Sequence, residues 1–145
     1  MDTSDKPVMP VRVLGIDFGL RRIGLALGDT VSRLATPFDC LEGLTDADAV
    51  AAITKIAHDE QIAILICGVP LNDDGSPNAQ SRRTSQFMAL LRSVSGKNVL
   101  PVNEFLTTFE AENLLAGNFT SGQKKKRVDA LAAARILQAY LNSLP

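Results

Sequence analysis

Three carboxylates in separate parts of the chain could together support metal-dependent chemistry. Asp17 ends a predicted strand of alternating apolar residues, and Glu104 follows a later predicted strand. Sites in open α/β sheets lie beyond the carboxyl ends of the parallel strands. Both acids should therefore lie at that end of the sheet, which we call the rim. Asp129 shares the apolar stripe of a predicted helix, where a carboxylate is costly unless a cation or hydrogen-bond donors pair with it. The three acids therefore predict one shared site.

Carboxylates that converge repel one another and need positive charge between them. The chain has one histidine, His58, and no C-x-x-C pair, so a hard ion held by oxygen, Mg²⁺ or Mn²⁺, fits best. Two such ions about 4 Å apart can stabilise the attacking water and the leaving oxygen of a phosphodiester. Each acid also has an ordinary explanation. Asp17 could form a turn, Glu104 could be a loop carboxylate, and Asp129 could cap backbone groups or pair with an arginine.

Basic residues could hold a phosphate backbone beside these acids. Four of them directly precede Asp129: Lys124, Lys125, Lys126 and Arg127. They are also explained as a solvated run of charge. Arg21 follows the first predicted strand, while Arg83 lies on an apolar helical stripe and should turn inward to a phosphate or to a carboxylate in a structural salt bridge. Aromatic residues make up 5% of the chain, with no Trp, so recognition by base stacking is not indicated.

Length and composition predict one compact domain, and the hairpin followed by β-α-β units predicts that it is of the α/β class. The chain has 145 residues, of which 46% are hydrophobic and 21% charged, values typical of a single globular domain. Residues 11–145 are assigned to that domain and residues 1–10 to a flexible polar tail. The longest apolar run, residues 62–69, is too short to cross a membrane, and the first ten residues lack the pattern of a signal peptide. We therefore expect a cytoplasmic protein with no membrane partner.

Five strands and four helices are expected to position the site. The strands are predicted at residues 11–17, 23–28, 34–41, 62–68 and 98–102, and the first two must form an antiparallel hairpin because they are so close. Pro37 favours a sheet edge for the third strand. The helices are predicted at residues 46–60, 77–95, 107–117 and 124–141, with a polar loop over 118–123. The second should be capped by Ser76 and should turn four apolar residues inward: Phe87, Leu90, Leu91 and Val94.

The remaining titratable candidates are assigned structural roles. Cys40 and Cys67 lie in apolar or strand-like sequence and are expected to be reduced core thiols. His58 falls late in the first predicted helix, where a partly exposed surface position is expected. Nucleophilic catalysis through a Ser-His-Asp or Cys-His arrangement therefore has little support.

Four stretches of the chain resemble the YqgF family of RNase H-like pre-16S rRNA nucleases, also described as Holliday-junction-resolvase-like. They are residues 15–29 (GIDFGLRRIGLALGD), 68–75 (GVPLNDDG), 103–112 (NEFLTTFEAE) and 128–134 (VDALAAA). The resemblance implies an RNase H-like five-stranded mixed sheet in the order 3-2-1-4-5, flanked by helices. It also implies that Asp17, Glu104 and Asp129 form the acidic triad of a metal-dependent nuclease that matures the 5′ end of 16S rRNA.

One departure from the family is visible at the second acid. The family usually has Asp-Glu-Arg before Leu-Thr-Thr, whereas this chain has Asn103, Glu104 and Phe105. A neighbouring acid and a cation are therefore missing, which bears on rate and substrate preference more than on the metal site.

Three functions remain open on the sequence. The first is an endonuclease that acts on structured RNA, or on branched DNA as a Holliday junction resolvase does. The second is a nucleotide-binding phosphotransfer module, because residues 15–19 also resemble the first phosphate loop of the actin and sugar-kinase superfamily. The third is a non-catalytic RNA-binding module in ribosome assembly. A monomer or a weak homodimer is expected, with the first strand or the edge strand as the contact.

Overall fold

The computed structural model describes residues 9–103 and 121–145, with side chains in the second segment from Lys126 onward. The strands are β1 (Arg12–Phe18), β2 (Arg22–Asp29), β3 (Thr36–Glu42), β4 (Ile64–Val69) and β5 (Asn98–Asn103). The helices are α1 (Asp46–Asp59), α2 (Ala79–Ser95) and α3 (Ser121–Ser143). Within these residues, no helix is long and apolar enough to cross a membrane.

The five strands form one sheet in the order β3-β2-β1-β4-β5. β1, β2 and β3 pair antiparallel, whereas β4 and β5 run parallel to β1. The predicted mixed sheet and its strand order are thus confirmed. The two outer strands each contain a proline, Pro37 in β3 and Pro101 in β5, and an edge position tolerates the missing backbone donor.

Side-chain alternation gives the sheet two apolar faces. One face packs against α1 and α2, and the fully buried residues between them include Leu14, Ile16, Leu25 and Leu65 of the sheet and Phe87 of α2. The other face packs against α3, with a core of Val13, Ala26, Ile66, Ile136 and Leu137. Because successive strand residues point to opposite faces, the odd-numbered residues of β1 and the even-numbered residues of β2 lie on the α3 face.

The start of α2 differs from the prediction. The helix begins at Ala79, and its cap is Asn78, not Ser76. The Asn78 side chain accepts a hydrogen bond from the Ser81 amide at 2.8 Å, and the Ser81 hydroxyl accepts one from the Asn78 amide at 2.8 Å. Ser76 instead bonds to Asp74 within the preceding turn. This pair of hydrogen bonds, a capping box, satisfies the backbone amides of Asn78 and Ser81. With Ser76 as the cap, both amides would have to bind water.

The buried face of α2 is also narrower than predicted. Phe87 and Leu91 are fully buried, but Leu90 is 37% and Val94 53% exposed, and Met88 is buried in their place. α2 packs against α1 and the sheet from one side only, so the apolar residues at the margin of its stripe remain at the surface.

α3 begins three residues earlier than predicted. Residues 121–123, assigned to the polar loop, are helical, and the helix continues to Ser143. Asp129 consequently lies more than two turns from the helix start, beyond the reach of the helix dipole. The predicted helix at 107–117 and the first part of the loop, 118–120, fall in the portion of the chain that is not described.

Gly24 allows α3 to approach the sheet at the level of Asp129. A Cβ atom at Gly24 would lie 1.9 Å from the backbone oxygen of Asp129 and 3.0 Å from the backbone nitrogen of Ala130. Because these are backbone atoms, no side-chain rotation would relieve the overlap. The absence of a side chain at Gly24 therefore sets the height of α3 above β2.

We expect Gly24→Ala to lower the free energy of unfolding by about 3 kcal/mol or more, because the helix must move away from the sheet. Urea denaturation would measure the loss. Gly43→Ala is the matched control, since a Cβ there meets nothing within 4 Å and only the backbone φ of 70° is unfavourable. That change should cost about 1 kcal/mol. Equal losses in the two variants would contradict the close contact.

Candidate active site at the rim of the sheet

Asp17 lies where the sequence places it, at the carboxyl end of β1. It is partly buried, on the α3 face of the sheet, and it pairs with Gly24 across the β1–β2 hairpin. Since the backbone of Asp129 covers Gly24, the two acids share one face and one end of the sheet. Glu104, the third predicted ligand, lies outside the described residues. It follows Asn103, which ends β5 beside Val69 at the same rim.

The charge of Asp129 is balanced by an arginine. The Arg22 Nε donates a hydrogen bond to the Asp129 Oδ2 at 2.7 Å, and the two side chains are 29% and 22% exposed. This bond, with the attraction of the Asp129 charge, raises the pKa of Arg22. Asp129 therefore meets the requirement inferred from its place on an apolar stripe. Of the explanations left open, pairing with an arginine is the one seen.

Arg22 was missed among the candidate residues, which included its neighbour Arg21. Arg21 is exposed in the β1–β2 turn, and its backbone carbonyl accepts a hydrogen bond from Gly43 at 2.9 Å. A signal was present in the sequence, because strand alternation places Arg22 on the face of Gly24 and Ala26. Arg22 is also a diagonal neighbour of Asp17 across the hairpin, a relation that corresponds to roughly 7–8 Å. One cation thus stands close to both acids.

The edge strand β3 adds a thiol to the site. Cys40 pairs with Gly24 in the sheet, and its Sγ lies 3.8 Å from the Asp129 Oδ2. Burial, followed by the negative charge of Asp129, raises the pKa of the Cys40 thiol to about 11. Cys40 does not belong to the core as predicted but is partly buried, because β3 is the outermost strand and no further strand covers its outer side. Cys67 is buried, and His58 is exposed, both as predicted.

The basic run before Asp129 lies on the first turns of α3. Lys126 and Arg127 are exposed, and the Lys126 Nζ lies 3.7 Å from the Glu42 Oε2 of β3. Both side chains of that pair are more than half exposed, so the pair contributes less than about 1 kcal/mol to stability. Lys124 and Lys125 belong to the helix, but their side chains lie outside the described part of the chain. Positive charge is therefore available at the rim, next to Asp129.

Arg83 forms a structural salt bridge on the opposite face of the sheet. Its guanidinium binds both oxygens of Asp46 at 2.8 Å and lies 5.2 Å from the centre of the Phe18 ring. The hydrogen bond to Asp46 raises the pKa of Arg83. Phe18 in turn stacks on Phe87, with 4.3 Å between ring centres. Arg83 is thus committed to joining α1, α2 and β1, and its predicted contact with substrate stays a prediction.

The donor chemistry of the rim fits a hard divalent ion. Two carboxylates on one face supply oxygen ligands, which Mg²⁺ and Mn²⁺ prefer. Within residues 9–103 and 121–145, no three Asp, Glu, His or Cys side chains are grouped as metal ligands. Asp17 and Asp129 are two of the three predicted metal ligands. One carboxylate oxygen of Asp129 accepts the hydrogen bond from Arg22.

The chain shares its fold with solved structures of Holliday junction resolvases. It aligns with a Thermus thermophilus RuvC solved with a Holliday junction substrate, with a TM-score of 0.56, 14% identity and coverage of 92% of this chain and 94% of that one. It also aligns with a fowlpox virus resolvase bound to Holliday junction DNA, with a TM-score of 0.58, 10% identity and coverage of 92% and 98%. At these identities the likeness shows a shared fold.

Sequence comparison gives the family. The family described as "RuvX: Holliday junction resolvase" matches residues 11–143, and this chain belongs to it. A protein of Anaeromyxobacter sp. (strain Fw109-5), named "Putative pre-16S rRNA nuclease", is 39% identical over 133 residues, which cover 91% of this chain and 97% of the relative. A protein of the same name from Azotobacter vinelandii is 33% identical and covers 94% and 96%. The resemblance seen in the sequence is confirmed.

The raised pKa of Cys40 offers a chemical test of the rim geometry. Because the thiol is protonated at neutral pH, alkylation of Cys40 by iodoacetamide should be slow and should accelerate as the pH approaches about 11. Asp129→Asn removes a charge that raises this pKa, so alkylation at about pH 8.5 should become faster, roughly tenfold for each unit by which the pKa falls. Mass spectrometry would locate the label on Cys40.

Arg22→Gln is the matched control for that experiment. The Arg22 charge lowers the pKa of Cys40, so its removal should slow the reaction, opposite to the effect of Asp129→Asn. If both variants react at the wild-type rate, Asp129 and Arg22 do not lie beside the thiol.

Proposed function

We propose that this protein is a divalent-metal-dependent endonuclease that hydrolyses phosphodiester bonds in structured RNA. Maturation of the 5′ end of pre-16S rRNA in the cytoplasm is the proposed cellular role. Membership of the RuvX family and the shared name of its relatives support nuclease activity and the rRNA substrate. The observation that carries the proposal is the placement of Asp17 and Asp129 on one face at the end of β1, with basic side chains adjacent.

The roles of the residues follow from their positions. Asp17, Asp129 and Glu104 would hold Mg²⁺ or Mn²⁺, in two sites if both ions bind. Bound there, the ions would lower the pKa of water and stabilise the charge that develops on the phosphate. Arg22 holds the Asp129 carboxylate in place at the rim through the hydrogen bond from its Nε. Gly24 holds α3 close enough for that carboxylate to reach β2.

The basic residues of α3 would position the substrate. Lys126 and Arg127 are exposed one turn or less before Asp129, and cations at that distance can bind phosphates on either side of the cleaved bond. Lys124 and Lys125 extend the same run in the sequence. Arg21 is exposed in the turn between β1 and β2, directly before β2 begins. These residues would bind the backbone without reading sequence.

Branched DNA is the second candidate substrate. The family description names a Holliday junction resolvase, and a fold of this kind is found bound to such junctions. Cleavage of a precursor RNA spanning the 5′ end of 16S rRNA, compared with cleavage of a four-way DNA junction, would decide between the two substrates. We expect faster cleavage of the RNA.

We expect Asp17→Asn to reduce Mn²⁺-stimulated RNA cleavage by about 10²-fold or more, because the variant lacks an ion ligand and its charge. Asp59→Asn is the matched control, since Asp59 is exposed near the end of α1 and forms an ion pair with Lys55 on the same helix. It should cleave as wild type does. Undiminished cleavage by a folded Asp17→Asn protein would show that the rim is not the catalytic site. If the wild-type protein binds the RNA without cleaving it, the non-catalytic role in ribosome assembly is correct instead.

The double variant Lys126→Ala, Arg127→Ala should bind RNA more weakly and with a flatter salt dependence. Removal of one phosphate-binding cation should reduce the slope of log affinity against log salt by about 1. Fluorescence anisotropy at several salt concentrations would measure both quantities. Lys55→Ala removes an equally charged but remote side chain, 79% exposed on α1, and should leave the slope unchanged. An unchanged slope in the double variant would show that these two residues do not bind the RNA.

A further inference from the structure

A groove of about 340 Å³ lies between β3 and the first turns of α3. We call it the β3–α3 groove. Phe38 and Cys40 line it from the strand, and Lys126, Arg127 and Leu131 line it from the helix. Cys40 also stands 3.8 Å from the Asp129 carboxylate, so the groove opens directly beside the proposed catalytic site. Its volume is within the range of pockets that hold small organic groups.

Phe38 is placed in the groove by an irregularity of the sheet. Asp39 pairs with Leu25 and Pro37 pairs with Ala26, so Phe38 is an extra residue in β3 with no partner in β2. A β-bulge of this kind redirects a side chain and is common beside active sites. The Phe38 ring is 40% exposed, although a ring of this size is usually buried. The bulge thus presents a flat apolar surface to the groove.

The charges around that ring fit a nucleotide. Lys126 and Arg127 provide positive charge at one wall. Asp39 belongs to the other wall, and its Oδ1 accepts a hydrogen bond from the Cys40 amide at 2.7 Å. An aromatic face beside two cations is the combination by which proteins bind unpaired nucleotides, with the base on the ring and the phosphate on the cations.

We propose that the β3–α3 groove binds one unstacked nucleobase of the RNA, next to the phosphodiester that is cleaved. The base lies against Phe38 and Leu131, and an adjacent phosphate contacts Lys126 and Arg127. This inference rests on the proposed function and specifies its substrate class, which is RNA with an unpaired nucleotide at the cleavage position. A continuous duplex keeps its bases stacked and cannot fill the groove.

The test is RNA binding measured without cleavage, in EDTA. The probe is a short single-stranded RNA that carries one 2-aminopurine, compared with the same RNA annealed to its complement. We expect wild-type protein to quench the 2-aminopurine and to bind the single strand about tenfold more tightly than the duplex. Phe38→Ala should weaken binding to the single strand about tenfold and abolish most of the quenching. Its affinity for the duplex should not change.

Two further variants control for folding and for general removal of apolar surface. Phe38→Tyr keeps the aromatic face and should retain both the quenching and the preference. Leu100→Ala removes an apolar side chain that is 39% exposed on the opposite edge strand, and it should bind as wild type does. Urea denaturation would establish that all variants fold.

Two results would overturn the inference. The first is unchanged quenching and affinity in Phe38→Ala. The second is a sedimentation coefficient of Phe38→Ala that differs from that of the wild type while RNA binding is unchanged. That result would show that the groove contacts a second copy of the chain. Neither result bears on cleavage, which the Asp17→Asn comparison tests separately. If Asp17→Asn loses cleavage and Phe38→Ala binds RNA normally, the proposed nucleobase site is wrong and the proposed nuclease function stands.

Discussion

The ion pair between Arg22 and Asp129 is the contact on which the rest of the rim depends. It joins the start of β2 to a helix that lies 107 residues further along the chain, at a distance of 2.7 Å. Asp129 stands on a helical face whose next turns bury Ala132, Ala133 and Ile136 completely. A carboxylate in that position is tolerable only with a charged partner. The pair in turn requires the helix to touch the strand, which Gly24 permits.

The two faces of the sheet carry different kinds of charged contact. On the face of α1 and α2, Arg83 binds Asp46 with both nitrogens and lies over the ring of Phe18, which locks the helices to β1. On the face of α3, the Lys126–Glu42 pair is more exposed than the Arg83–Asp46 pair, and its charged atoms lie 3.7 Å apart. A weakly paired cation is available to phosphates, whereas a cation held at 2.8 Å by both oxygens of a carboxylate is not. The substrate surface is therefore expected on the α3 face.

β3 contributes more to this face than an edge strand usually does. It brings Cys40 to Asp129, Glu42 to Lys126 and, through its bulge, Phe38 to the groove. The low aromatic content of the chain argued against base stacking in general. A single exposed ring beside the proposed site is sufficient for one base, and the composition of the whole chain cannot reveal such a placement. The proposed nucleotide site in the groove would favour a substrate with an unpaired base.

Local patterns in the sequence determined the elements and most of their faces. Alternation and apolar runs predicted all five strands within a few residues, and helical spacing predicted that Asp129 would share a face with buried residues. The order of the strands came from the family resemblance, because periodicity carries no information about which strands are neighbours. The starts of α2 and α3 were missed, because Asn78 competes with Ser76 for the cap and the start of α3 has no apolar pattern.

Tertiary structure alone decided how the charges are paired. Strand alternation places Arg22, and not Arg21, on the face of Gly24 and Ala26, but alternation by itself does not say that this face turns toward α3. The choice depends on the register of the β1–β2 hairpin, since a shift of one residue would exchange the two faces. The same register brings Asp17, Gly24 and Cys40 into one row across three strands. Contacts between residues so far apart in the chain depend on the packing of the whole sheet, which no short segment encodes.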